Sequence, residues 1–165
     1  MSIGHDYLRE FDEEMKATRK VLERVPSDKP DWKPHPKSFS MAHLAKLVSW
    51  MPGWIAKTLR QPFLDMAGPG NSYSNEATTK LLADFDANVA SAREALVSAA
   101  DAAWHEDWQL KRGDQVFWTA PRSVVVRTHL NHLVHHRAQL GVYLRLNDIP
   151  VPSCYGPTAD ERGFP

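Results

Sequence analysis

The stretch RSVVVRTHLNHLVHHRAQLGVYLRL, residues 122–146, decides how this chain folds. At ~100° per residue, Val125, Val126, Leu133, Leu140, Tyr143 and Leu144 share one face of a helix. Pro121 suits its first turn. Asn147-Asp148 and Pro150 stop it. The apolar face is interrupted by histidines. His129, His132 and His136 fall within ~60° of one another on it, where the pattern calls for Leu or Val. His135 falls to the side.

Three further helices are expected outside this one. The first spans residues 6–24, with Leu8, Phe11, Met15, Thr18 and Leu22 at helical spacing among charged residues. Val25-Pro26 ends it, and a stiff connector follows with Pro26, Pro30, Pro34 and Pro36. The second helix starts at Ser38 or Ser40 as N-cap and ends near Arg60. Its face carries His43, Leu47, Trp50, Met51 and Trp54, and Pro52 predicts a kink. Residues 62–75 are rich in Gly and Pro and read as a loop. The third helix runs from Asn75 or Glu76 to about Ala102, with a stripe of Leu82, Phe85, Val89, Ala92 and Leu96. Then the period changes to two. Trp108, Leu110, Val116 and Trp118 alternate around Arg112-Gly113-Asp114, which predicts a short β-hairpin packed on the helices through its Trp residues. The expectation is all-α: a single domain over residues 1–165, a four-helix bundle with a long crossover connection between helices two and three and a small hairpin between helices three and four.

Composition narrows the function classes. The 20 Lys and Arg balance the 20 Asp and Glu, so the net charge is zero, which argues against nucleic acid as partner. No apolar run reaches the ~20 residues of a membrane span, and residues 1–10 do not read as a signal peptide. The single Cys154 excludes a disulfide framework and a CxxC metal site. The cytoplasm is the expected location.

The histidines carry the chemistry. One core imidazole is usually a satisfied packing residue. Several buried without partners cost about 1–3 kcal/mol each, and a metal ion offsets that cost. His132 and His136 are one turn apart, so both reach one ion. His43 on the second helix is the candidate third ligand. Three imidazoles leave coordination positions open, the pattern of a catalytic rather than a structural site. They suit Zn, Ni, Fe or Mn.

Two segments extend this reading. NHLVHHRAQLGVYLRLNDIPVPSCYGPTADE, residues 131–161, resembles the C-terminal helix and tail of the DinB-like family of metal-dependent four-helix-bundle enzymes. DWKPHPKSFSMAHLAKLVSW, residues 31–50, resembles that family's loop and second helix. The resemblance covers essentially the whole chain. Its most specific parts are the single His of the second helix and Asn131, His132, His136, Arg137 and Gln139; Ala138 stands where the family commonly has Gly. The resemblance implies a divalent metal held by His43, His132 and His136, with His129 a neighbour rather than a ligand. It also implies a small-molecule substrate, S-transfer from a low-molecular-weight thiol or hydrolysis as chemistry, and allows a homodimer. The alternative is a metal- or small-ligand-binding stress-related protein without catalysis.

The remaining candidates have plainer readings. Cys154 lies in a Pro-rich tail with no adjacent base and reads as a bystander thiol. His35 is a loop residue near the bundle mouth; His5 and His105 are surface residues. Arg137 points away from the histidine face, toward a salt bridge or tail contact. Gln139 and Tyr143 flank that face as residues that orient a ligand. Trp50 and Trp54 read as core, with an apolar pocket wall as the other role.

Overall fold

A computed structural model describes residues 2–68 and 76–163. Its elements are α1 (Ile3–Leu22), α2 (Met41–Arg60), β1 (Phe63–Asp65), α3 (Thr78–Ser98), a 3-10 helix (Asp101–His105), β2 (Asp107–Arg112), β3 (Gln115–Pro121) and α4 (Arg122–Leu146). Four helices and a small three-stranded sheet make a mainly helical protein. The expected helix start at Asn75 and residues 69–75 of the expected loop lie outside the described residues.

Cross-helix bonds give the helix directions. Lys46 bonds Asp84, Asn88 reaches Ser49, and Arg60 bonds Ser91 and Glu94, so α2 and α3 run in the same direction. Asp12 pairs with Arg93 and Arg19 with Asp86, so α1 opposes α3. Tyr7 bonds Ser123, and Arg127 and Arg137 reach back to Glu10 and Glu14, so α4 runs with α1. Residues near the start of α2 meet the end of α4, and Thr58 meets His129. The histidine face of α4 is therefore turned to α2.

Helix ends differ from the sequence reading where distant residues cap them. α1 starts three residues earlier than expected, because the Ile3 N–H donates to Asp101 Oδ1 at 3.0 Å and Gly4 packs under α3. A Cβ on Gly4 would lie 2.1 Å from the Leu96 carbonyl oxygen. α2 starts after Ser40, whose Oγ accepts the His43 N–H at 3.3 Å. It continues through Pro52, which carries no N–H and crowds the turn before it. The Ser49 carbonyl there accepts from Asn88 Nδ2 at 3.1 Å. α3 ends at Ser98, not Ala102, since Ala99 and Ala100 are extended. Its buried stripe includes Leu81 rather than Leu82, with Phe85, Ala92, Ala95 and Leu96.

The sheet is larger than a hairpin. β2 and β3 pair antiparallel around Gly113-Asp114, with a bulge between Leu110 and Lys111. β1 adds a parallel third strand along β2, inside a segment the sequence reads as loop. Asp65 Oδ1 accepts from the Gly113 N–H at 3.1 Å and ties the two together. Trp108 and Ala120 pack with Val125 of α4 in a second small core, joined by Leu64, Leu110 and Trp118. The main core lies among the helices, around Phe11, Leu22, Met51, Phe85, Trp104, Leu133 and Leu140. The tail docks through Arg24 to Glu161 and Arg145 to Asp160.

Candidate metal centre

α4 brings His132 and His136 together. Their Nε2 atoms are 2.9 Å apart and their rings 4.6 Å. His136 is buried, whereas His132 faces solvent. At 2.9 Å one nitrogen donates to the other. Two imidazole nitrogens each ~2.0–2.1 Å from one ion also stand roughly 3 Å apart. The pair thus has the separation of neighbouring ligands. His136 Nδ1 lies 2.8 Å from Gln139 Oε1, the kind of partner that orients a ligating imidazole.

His43 stands on the facing helix, in the first turn of α2. Its ring stacks on Phe39 at 4.1 Å and 8°, and Phe39 stands 6.2 Å from the His136 ring. Tyr143 Oη donates to the Phe39 carbonyl at 3.1 Å, so α4 holds the loop that carries this aromatic ring. His136 is close enough to His43 to lower its tendency to charge, after desolvation. Among the described residues, no three His, Cys, Asp or Glu side chains already converge as a complete ligand set. The arrangement is a contacting pair, His132 and His136, with His43 facing it.

His129 sits one turn before His132 and belongs to a different environment. Its Nε2 is 3.1 Å from Thr58 Oγ1, and Trp54 and Trp108 meet its ring edge-on at 5.7 and 6.3 Å. Desolvation, then the nearby His132, push its pKa down to about 4. Desolvation also leads the downward shifts of His43, His132 and His136, followed by neighbouring imidazoles; the Gln139 bond opposes it at His136. All four rings are biased toward the neutral form, the one that ligates metal.

Of the other sequence candidates, Arg137, Cys154 and His35 make their contacts elsewhere. Arg137 is buried against α1, bonding Glu14 at 2.6 Å, Thr18 Oγ1 at 3.2 Å and Tyr155 Oη at 2.6 Å. It is the tail contact its helical position implies. Cys154 lies beside Ala17 of α1, and burial raises its thiol pKa. His35 accepts the Lys37 N–H in an exposed turn. Trp54 packs 5.9 Å from His132. On its other side a groove of ≈550 Å³ opens between α2 and α3, lined by Trp50, Lys57, Arg60 and Asn88.

A family model described as the DinB family matches residues 1–162. The chain belongs to the DinB family. A DinB-like protein of Bacillus cereus has a crystal structure similar to this chain. It is 19% identical with a TM-score of 0.65, over 90% of this chain and 95% of that one. A DinB-like protein of Bacillus subtilis is 14% identical with a TM-score of 0.68, over 94% of this chain and 98% of that one. These likenesses carry the fold. No curated protein matches the chain.

Two contributors in this DinB-family chain escape a reading by helix wheel. Phe39 precedes the N-cap Ser40, and an apolar residue there signals a contact with the first turn of the helix. That signal points to the His43 region. Thr58, fully buried on α2, meets His129 across 71 residues of sequence, and no local pattern announces it.

Proposed function

We propose that this DinB-family protein is a divalent-metal-dependent enzyme acting on a small molecule, with His43, His132 and His136 as the ligands. The observation that carries the reading is the 2.9 Å approach of His132 Nε2 to His136 Nε2 on the α4 face turned to α2. The resident metal is Zn, Ni, Fe or Mn. When bound, it lowers the pKa of a coordinated water or thiol and so makes a nucleophile near neutral pH.

The chain's own residues prepare this site. Desolvation biases the imidazoles toward the neutral form, the one that ligates metal. Gln139 Oε1, 2.8 Å from His136 Nδ1, orients that ring. Phe39 stacks on His43 and steadies it on the facing helix. Trp54 supplies an apolar wall next to His132. Cys154 packs against Ala17 of α1, and burial raises its thiol pKa, so it is not an activated thiol. The nucleophile is then water, in a hydrolase, or a low-molecular-weight thiol, in an S-transferase.

Elemental mass spectrometry on untagged protein tests this, beside a His43→Ala, His132→Ala, His136→Ala triple variant. The expected result is about one metal equivalent in the parent and none in the variant. No metal in the parent after reconstitution with Zn, Ni, Mn and Fe would sink the reading.

A further inference from the structure

We infer that the groove between α2 and α3 binds a small aromatic anion, a flat ring bearing one carboxylate or sulfonate. The groove encloses ≈550 Å³, within the range of small-molecule sites. It stays open because its lining is small at the centre. Gly53 of α2 and Ala87 of α3 carry nothing that could fill it. Asn88 lies beside Gly53, held by its Nδ2 donation to the Ser49 carbonyl at 3.1 Å.

One half of the groove is aromatic. Trp50 and Trp54 stand one turn apart on α2, and both line it. Both are only half-buried, so indole surface is left for a ligand. Neighbours fix the two rings. The Lys46 ammonium lies 4.8 Å over Trp50, and buried Lys46 is itself bonded to Asp84 at 2.9 Å and to Glu76. Trp54 packs 5.7 Å from His129 and 5.9 Å from His132. Flat walls set in advance favour a flat ring, stacked with offset or met edge-on. Trp54 is the wall this groove shares with the candidate metal centre, but the groove itself needs no metal.

The other half sets the charge of the ligand. Among the described residues, Lys57, Arg60 and Asp84 are the charged groups that line the groove. Two of them are already matched. Asp84 accepts from Lys46 through Oδ2 and from Lys80 through Oδ1. Arg60 donates to Glu94 at 2.8 Å and to Ser91 Oγ at 2.9 Å. The exposed Lys57 ammonium has no carboxylate partner among the described residues. The charge left over is therefore positive. At ~1.5 Å per residue Lys57 stands roughly 10 Å along α2 from Trp50 and roughly 5 Å from Trp54. A ring lying against the indoles thus brings its anionic group to Lys57, where a cationic group would be repelled.

Isothermal titration calorimetry of the whole chain with 2-naphthoate tests this, with and without EDTA. A saturable one-to-one isotherm, unchanged by EDTA, is expected. The neutral 2-naphthamide should bind about 3–5-fold more weakly, the scale of an exposed ion pair. Octanoate, which has the charge without the ring, should also bind more weakly. Lys57→Met should bind naphthoate and naphthamide equally. Ala87→Leu fills the groove from an exposed position and should abolish binding, with the circular dichroism and melting temperature of the parent. Proton–nitrogen NMR spectra of the wild type locate the ligand without any variant. The indole N–H signals of Trp50 and Trp54 should shift on titration, and that of Trp104, which stacks on Tyr7, should not. No saturable binding, naphthamide or octanoate binding as tightly as naphthoate, or an Ala87→Leu variant that binds like the parent overturns the inference. So does an isotherm lost in EDTA, which would put the carboxylate on a metal instead.

Discussion

Replacing His129 with Leu removes the imidazole most strongly held neutral by the fold. Desolvation first, and His132 second, lower its pKa from 6.5 to about 4. Between those values the unfolded chain binds a proton that the folded chain refuses. Stability tied to the neutral ring is therefore complete above pH 6.5 and is lost progressively as pH falls toward 4. At pH 5 the loss reaches up to about 2 kcal/mol, an upper value because the ring keeps some exposure. Urea unfolding followed by circular dichroism, on metal-free wild type and His129→Leu at pH 7 and pH 5, isolates this contribution. The other histidines titrate in both proteins and cancel in the comparison. The wild type should lose up to about 2 kcal/mol more than the variant between the two pH values. Equal losses would refute the assignment of a buried, neutral His129 between Thr58, Trp54 and Trp108.

Arg137→Met leaves the largely buried Glu14 carboxylate without its cation and should cost about 3 kcal/mol. Limited proteolysis should then cut the tail near Tyr155, which Arg137 holds. Gly53→Ala places a Cβ 2.5 Å from Asn88 Oδ1. It should cost about 1–3 kcal/mol by chemical unfolding, and much less in an Asn88→Ala background, as a double-mutant cycle would report. Trp104→Ala empties a fully buried site stacked on Tyr7 at 4.8 Å, and should cost about 3–5 kcal/mol in the same measurement.

The candidate site divides by how local its geometry is. His132 and His136 meet because they are four residues apart on one helix, and any helix at 122–146 brings them together. The Gln139 contacts follow from the same turn. His43 is different, since its place opposite His136 depends on α2 lying against α4. Periodicity puts His129 on the same face as the pair but does not decide its partner. Thr58, from another helix, does. The wheel also turns Arg137 away from the pair, while only the docked α1 and tail supply Glu14 and Tyr155.

The fold divides in the same way. The stripe of Val125, Val126, Leu133, Leu140, Tyr143 and Leu144, the N-cap Ser40 and the Gly113-Asp114 turn were legible because helical phase, capping and turn chemistry act within a few residues. The start of α1 escaped that reading, because its cap is Asp101, 98 residues away. So did β1, since three residues carry no periodicity of their own and become a strand only by pairing with β2. The sequence by itself determined four amphipathic helices and the histidine pair on the last of them. The tertiary structure decided which helices touch, and so which side chains from elsewhere reach that pair. The reason is physical: backbone geometry dictates neighbours within a turn, whereas contacts between elements exist only once their apolar faces have packed together.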